Sequence, residues 1–162
     1  MLKNLAILIV LIAASRFIGL PANFSPLLAL ALFMPRLTDD LRIQHLLPVT
    51  IVAFTNLFLE PVNPFILAAL LFVFAITPLV SRYTKSLFWG VFAAALIWHL
   101  VVNGAVWIIG KGPLVETFVA AIPFDLKLAI STGLYVALFH NAEQFWMKYT
   151  ETNKKLLDRL IN

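Results

Sequence analysis

The sequence predicts an all-α, polytopic membrane helix bundle of about six transmembrane helices, the second one short. Two observations carry that expectation. First, 62% of the 162 residues are hydrophobic and only 12% are charged, whereas soluble domains are about 45–50% apolar and about 25% charged. Mean hydropathy is +0.95. Second, apolar runs of near-spanning length alternate with short loops rich in charge or proline, and a span needs roughly 20 such residues.

The first run, residues 4–20, carries Arg16 near its far end. Residues 5–13, followed by Ala13-Ala14-Ser15, also fit a signal-peptide core and cleavage site. The run continues past Arg16 through "FIGLP", which favours a span. "PANFSP" (21–26) is a loop, with two prolines and an asparagine. "LLALALFM" stops at Pro35 and rises only about 12 Å as a helix, so this element is short, tilted or re-entrant. "RLTDDLR" (36–42) is a charged loop, and the third span covers 43–60 with Pro48 in its first turns. "EPVNP" (60–64) is a turn, 65–80 the fourth span, "SRYTK" (81–85) a loop and 86–109 the fifth span. "GKGPLVETFVAAIPFD" (110–125) reads as a long connection that lies in the interface or dips into the bundle. The sixth span runs from 126 to about 147. The remainder has Leu156, Leu157, Leu160 and Ile161 on one side, as in an amphipathic surface helix. The organisation is therefore one transmembrane domain, 1–147, and a cytoplasmic tail, 148–162.

Basic residues orient the bundle. Lys3, Arg36, Arg42, Arg82, Lys85, Lys148, Lys154, Lys155 and Arg159 fall on one side. The other side has Lys111, with Arg16 and Lys127 at nearby span ends. The positive-inside rule puts both termini in the cytoplasm of a multi-pass protein of the cell (inner) membrane. The net charge of +4 then reports topology, and no nucleic-acid partner is expected.

That topology gives depth to the polar residues. His99, Asn103 and Trp107 are spaced by four on the outward-running fifth span, on one helix face. Lys127, Ser131 and Tyr135 repeat the spacing on the sixth. Asn56 and Glu60 close the third span, Arg16 closes the first, and Asn23 and Phe24 lie in the loop after it. Four spans thus place polar residues in their outer halves. The expectation is an outward-facing, substrate-binding pocket lined by Arg16, Asn23, Phe24, Asn56, Glu60, His99, Asn103, Trp107, Lys127, Ser131 and Tyr135. Ligand sites are mostly apolar with a few placed polar groups. Taken singly, the same residues also serve as hydrogen-bonding glue between helices, and Arg16 and Lys127 can snorkel to headgroups.

Other chemistry finds little footing. With no cysteine, disulfides, thiolate metal sites and cysteine nucleophiles are excluded. His45, His99 and His140 fall at different depths, so no metal or cofactor is expected. "GKG" (110–112) lacks the phosphate-loop pattern. No paired acids and no mid-membrane carboxylate are expected, which disfavours an enzyme and a proton-coupled transporter.

Three stretches together resemble a known family: Arg16 followed by "PANFSPLLALALF" (21–33), "HLVVNGAVWI" (99–108) and "ETFVAAIPFDLKLAISTGLYVALF" (116–139). The family is one of uncharacterised bacterial membrane proteins. It is similar to the substrate-binding S components of energy-coupling-factor (ECF) transporters. The resemblance covers about residues 12–140. It implies an S-component-like six-helix bundle that binds a vitamin or similar micronutrient in an outward-facing pocket, with the loop after the first helix as part of the lid. It also implies partners: the lipid bilayer, a small-molecule ligand, an energy-coupling transmembrane protein and ATPases. "NFSP" places Asn23 and Phe24 near the ligand, and "NGAVW" places Asn103 and Trp107 there. The reading from another class is a small structural or assembly subunit of a larger membrane complex, with no ligand of its own.

Overall fold

The computed structural model describes residues 10, 12–19, 23–59 and 61–161, with 154–161 by backbone alone. The described residues form helices joined by turns, without strands. A helical stretch at 12–14 leads into a 3-10 turn, Ser15–Phe17. Five α-helices follow: α1 Leu27–Leu37, α2 Leu41–Asn56, α3 Pro64–Thr84, α4 Leu87–Gly110 and α5 Leu114–Ile161. The expected first span and the apolar side of the tail fall largely outside the described residues.

Helix α1 is the core. From Leu27 to Met34 no residue is more than 4% exposed. A helix that is apolar on every side must be surrounded, and α1 packs against all four other helices. Prolines bound it: Pro26 occupies the N-cap and Pro35 lies in the last turn, where the missing N–H weakens the helical ladder. Eleven residues rise only about 16 Å, against about 36 Å for α4.

Around α1 the other helices form consecutive antiparallel neighbours, because their connections are short. Asp40 caps α2, its Oδ1 accepting from the N–H of Arg42 at 2.8 Å and of Ile43 at 3.4 Å. Asn63 caps α3, accepting from Phe65 N–H at 2.9 Å, with Pro64 at the first helical position. Lys85 and Lys111 end α3 and α4 in the left-handed conformation, at φ 53° and 52°. The turns at 57–63 and 111–113 therefore share one end of the bundle. Those at 38–40 and 85–86 share the other.

Two boundaries differ from expectation. "SRYT" continues α3 to Thr84 rather than opening a loop. The larger correction concerns 110–125: helix begins again at Leu114, after a three-residue turn, and runs unbroken for 48 residues. There is no long connection, and the helix passes through Lys148 without a break. Pro123 misled the reading, yet it sits exposed within the helix.

Among the described residues, α3 and α4 are long and apolar enough to cross a membrane, with mean hydropathy 2.3 and 1.9. Helices α1 and α2, at 11 and 16 residues, fall short of the roughly 20 that a straight span needs. The outward surface is apolar as well: Phe54, Phe72, Phe92, Leu100 and Leu138 are each more than half exposed.

The early start of α5 is testable. Val119 is exposed and lies more than a turn inside the helix, so Val119→Pro removes a ladder hydrogen bond without touching the core. It should cost about 3 kcal/mol, read as a lower thermal unfolding midpoint in detergent. An unchanged midpoint would restore the loop.

Candidate functional site

The short α1 leaves space between its N-terminus and the bundle end that carries the 57–63 turn. A cavity of about 270 Å³ occupies that space. Leu27 and Leu28 form its floor, and Val52, Phe74, Trp98 and Leu128 contribute from the four surrounding helices. The segment before α1 covers it, bringing Ser15, Arg16, Asn23, Phe24 and Ser25 to the wall.

Arg16 is the charged group of this wall among the described residues. Its Nη1 donates to Thr55 Oγ1 at 2.7 Å and to the Val52 carbonyl at 3.3 Å, and its Nη2 to Asn56 Oδ1 at 3.4 Å. Thr55 is buried, and its hydroxyl donates to the Ile51 carbonyl at 2.6 Å. Its lone pairs are thereby left to Arg16. No described carboxylate lies within ion-pair distance of the guanidinium.

Asn23 holds the other side of the cover. Its φ of 64° is left-handed, a conformation asparagine tolerates better than most residues. The turn brings its backbone carbonyl within 3.2 Å of Ser131 Oγ, which shares its one proton between that carbonyl and the Leu128 carbonyl at 3.0 Å. Phe24 stacks edge-on against Tyr135, with centroids 6.0 Å apart. Four of the expected residues, Asn23, Phe24, Ser131 and Tyr135, thus meet where the cover joins α5, and Arg16 and Asn56 meet where it joins α2.

His99 and Asn103 form a separate cluster, with a partner the sequence reading placed elsewhere. His99 Nδ1 lies 2.7 Å from Asp125 Oδ2, and Asn103 Nδ2 donates to the same oxygen at 2.6 Å. An Nδ1 proton directed at the carboxylate makes the 3.1 Å approach of Asn103 Nδ2 to Nδ1 a contact rather than a hydrogen bond. Asp125 and Asn103 are each 8% exposed, and Phe118 packs edge-on against the imidazole.

The hairpin explains the meeting. His99 lies eleven residues before the end of α4, and Asp125 eleven residues after the start of α5. The expected 110–125 connection ends at Asp125 and so puts it at the bundle end. It stands instead midway along the hairpin, and a buried mid-length carboxylate is present after all. A carboxylate at this position is compatible with proton coupling.

Trp107 and Lys127 also stand apart from the cavity. Trp107 clips the hairpin turn, its Nε1 donating to the Gly112 carbonyl at 3.0 Å. Lys127 is exposed, with its ammonium over the Phe124 ring. The inward stripe of α5 runs through Asp125, Leu128, Thr132, Val136 and Phe139, one position away from Lys127. Glu60 lies outside the described residues. Missed by the sequence reading were Thr55, Ser15, Ser25 and Trp98. Thr55 and Ser15 each adjoin a residue it named, and Trp98 sits in an apolar run with no polar marker.

A family model matches residues 2–154. The chain belongs to DUF6580, a family of unknown function. No curated protein and no solved structure matches it. The DUF6580 match takes in every residue of the cavity and of the Asp125 cluster, so both belong to the family domain.

The shared oxygen of Asp125 makes the cluster a coupled unit. His99→Ala and Asp125→Ala should be non-additive, with a coupling of about 0.5–3 kcal/mol in a double-mutant cycle of detergent unfolding. Additive costs would show that the two groups do not act on one another.

Proposed function

We propose that this DUF6580 chain is a multi-pass protein of the cell (inner) membrane that binds a small micronutrient, such as a vitamin, for uptake. In this reading it is an S-component-like subunit with no ATPase of its own. An energy-coupling membrane protein and ATPases would drive release. The observation that carries the reading is the cavity over α1. It is walled by apolar and aromatic side chains with a few placed polar groups, the general make-up of ligand sites. Its cover is the loop that the resemblance to S components assigns to the lid.

The membrane setting draws support from the apolar outer faces of the helices and from charge. Arg36, Arg42, Arg82 and Lys85 cluster at the bundle end that carries the 38–40 and 85–86 turns. Lys111 stands at the other end. The positive-inside rule orients the first end, and both termini, to the cytoplasm. The cavity then lies toward the outside.

A structural or assembly subunit is the second reading. What favours it is that Ser131 bonds the Asn23 carbonyl and Asn103 bonds Asp125, as interhelical glue would.

The two readings separate in a thermal-shift screen of the purified protein against vitamins and cofactors. Binding predicts that one compound, at about 100 times its Kd, stabilises the protein by roughly 2.7 kcal/mol. Phe24→Ala should weaken that compound on the order of tenfold, about 1.4 kcal/mol. If no compound shifts the midpoint, the structural reading stands.

A further inference from the structure

Resting on the binding reading above, the geometry points to a ligand class: a small, single-ring organic anion whose carboxylate or phosphate group meets Arg16. Size sets the first limit. At about 270 Å³ the cavity falls just below the roughly 300–1,000 Å³ of sites for drug-sized ligands. A ligand of one ring with a short substituent suits a site at this small end of the range.

Charge sets the second. Among the described residues, Arg16, half-buried at the cavity wall, is held by neutral acceptors on α2. Two of its three bonds, at 3.3 and 3.4 Å, are long for a guanidinium. A buried cation is normally paired with an anion, and no described residue supplies one. The floor has the same sign. Pro26 gives α1 no side-chain cap, and the Leu28 and Ala29 N–H groups have no acceptor among the described residues. Unfilled N–H groups at a helix start carry partial positive charge. Ser15 Oγ donates to the Ile12 carbonyl at 2.6 Å, whereas Ser25 Oγ accepts from the Leu27 N–H at 3.3 Å, so of the two hydroxyls it is that of Ser25 that has a proton to offer.

Shape sets the third. Phe74 and Trp98 meet edge-to-face at 6.1 Å and 85°, and both line the cavity, with Phe24 in its cover. Flat walls of this kind accept a ring. The ligand's ring lies among these aromatic side chains and its anionic group lies at the Arg16 and α1 end. Arg16 is therefore a specificity residue: it selects the sign of the ligand, and the aromatic walls select its body.

The test uses one ring with three charges. Benzoate, benzamide and benzylamine are titrated by ligand-detected NMR against the full chain in nanodiscs, with phenylphosphonate as a second anion. Benzoate or phenylphosphonate should bind at least about tenfold more tightly than benzamide, roughly 1.4 kcal/mol. The stronger of the two assigns a carboxylate or a phosphate group. Arg16→Gln should bring that ratio to about one, and Arg16→Lys should keep most of it. The wild-type comparison decides even where Arg16→Gln does not fold. Equal binding of benzoate and benzamide would overturn the anion assignment while leaving a binding pocket. Preferred binding of benzylamine would overturn it in the opposite sense, and would point to Glu60, which follows the lining residue Leu59. If none of the four binds, the anion assignment is overturned, and the vitamin screen then decides whether the binding reading falls with it.

Discussion

A helix of eleven residues stands at the centre of a bundle whose neighbours run to 24 residues and beyond. Everything else is fitted to that mismatch. Because α1 is apolar on all sides, four helices must surround it to cover it. Because it is short, those helices cannot be filled along their whole length by α1 alone. The chain before α1 therefore folds into the remaining space, and its polar groups must find partners there. Arg16 finds Thr55, Val52 and Asn56 on α2. The Asn23 carbonyl finds Ser131 on α5. These contacts close the cavity on two sides and leave the guanidinium at its wall. The floor of the site is the start of the central helix, so the element that organises packing also supplies backbone donors.

A second feature follows from the hairpin of α4 and α5. A three-residue turn makes the two helices run in matched register from Gly110 and Leu114. Groups equally distant from that turn come together, and this places an acid, an imidazole and an amide in one cluster. The cluster ties α4 to α5 just beyond the depth of Trp98 and Leu128, which line the cavity. A buried N–H left without an acceptor there would cost about 1–3 kcal/mol, and Asp125 Oδ2 accepts from both Asn103 and His99. Trp107 tightens the turn itself through Gly112.

Much of this was legible in the residues. The pairing of Pro26 with Pro35 around an uncharged apolar run marks a short helix that must be buried. The four-residue spacing of His99, Asn103 and Trp107 reports a shared face. Arg16 and Asn23 were visible as polar groups flanking that run. What failed was depth. Reading 110–125 as a loop moved Asp125 from the middle of the hairpin to its end, and the cluster partner was lost. Pro123 is exposed within α5 and does not interrupt it. Equal steps in both directions from Gly112, the middle of the 111–113 turn, reach His99 and Asp125. Lys127 failed for a different reason. A spacing of four drifts around the helix, and one position separates the buried stripe from the exposed face.

On the proposed reading, the shortness of α1 creates a site reached from outside the membrane and closed below. The chain has no cysteine, so introduced thiols can be read without background. Ser25→Cys, at the cavity wall, and Leu30→Cys, buried within α1, are each exposed in intact cells to a membrane-impermeant maleimide. The account predicts labelling of Ser25→Cys from outside and none of Leu30→Cys. Labelling of Ser25→Cys only after the membrane is permeabilised, or equal labelling of both positions, would contradict it.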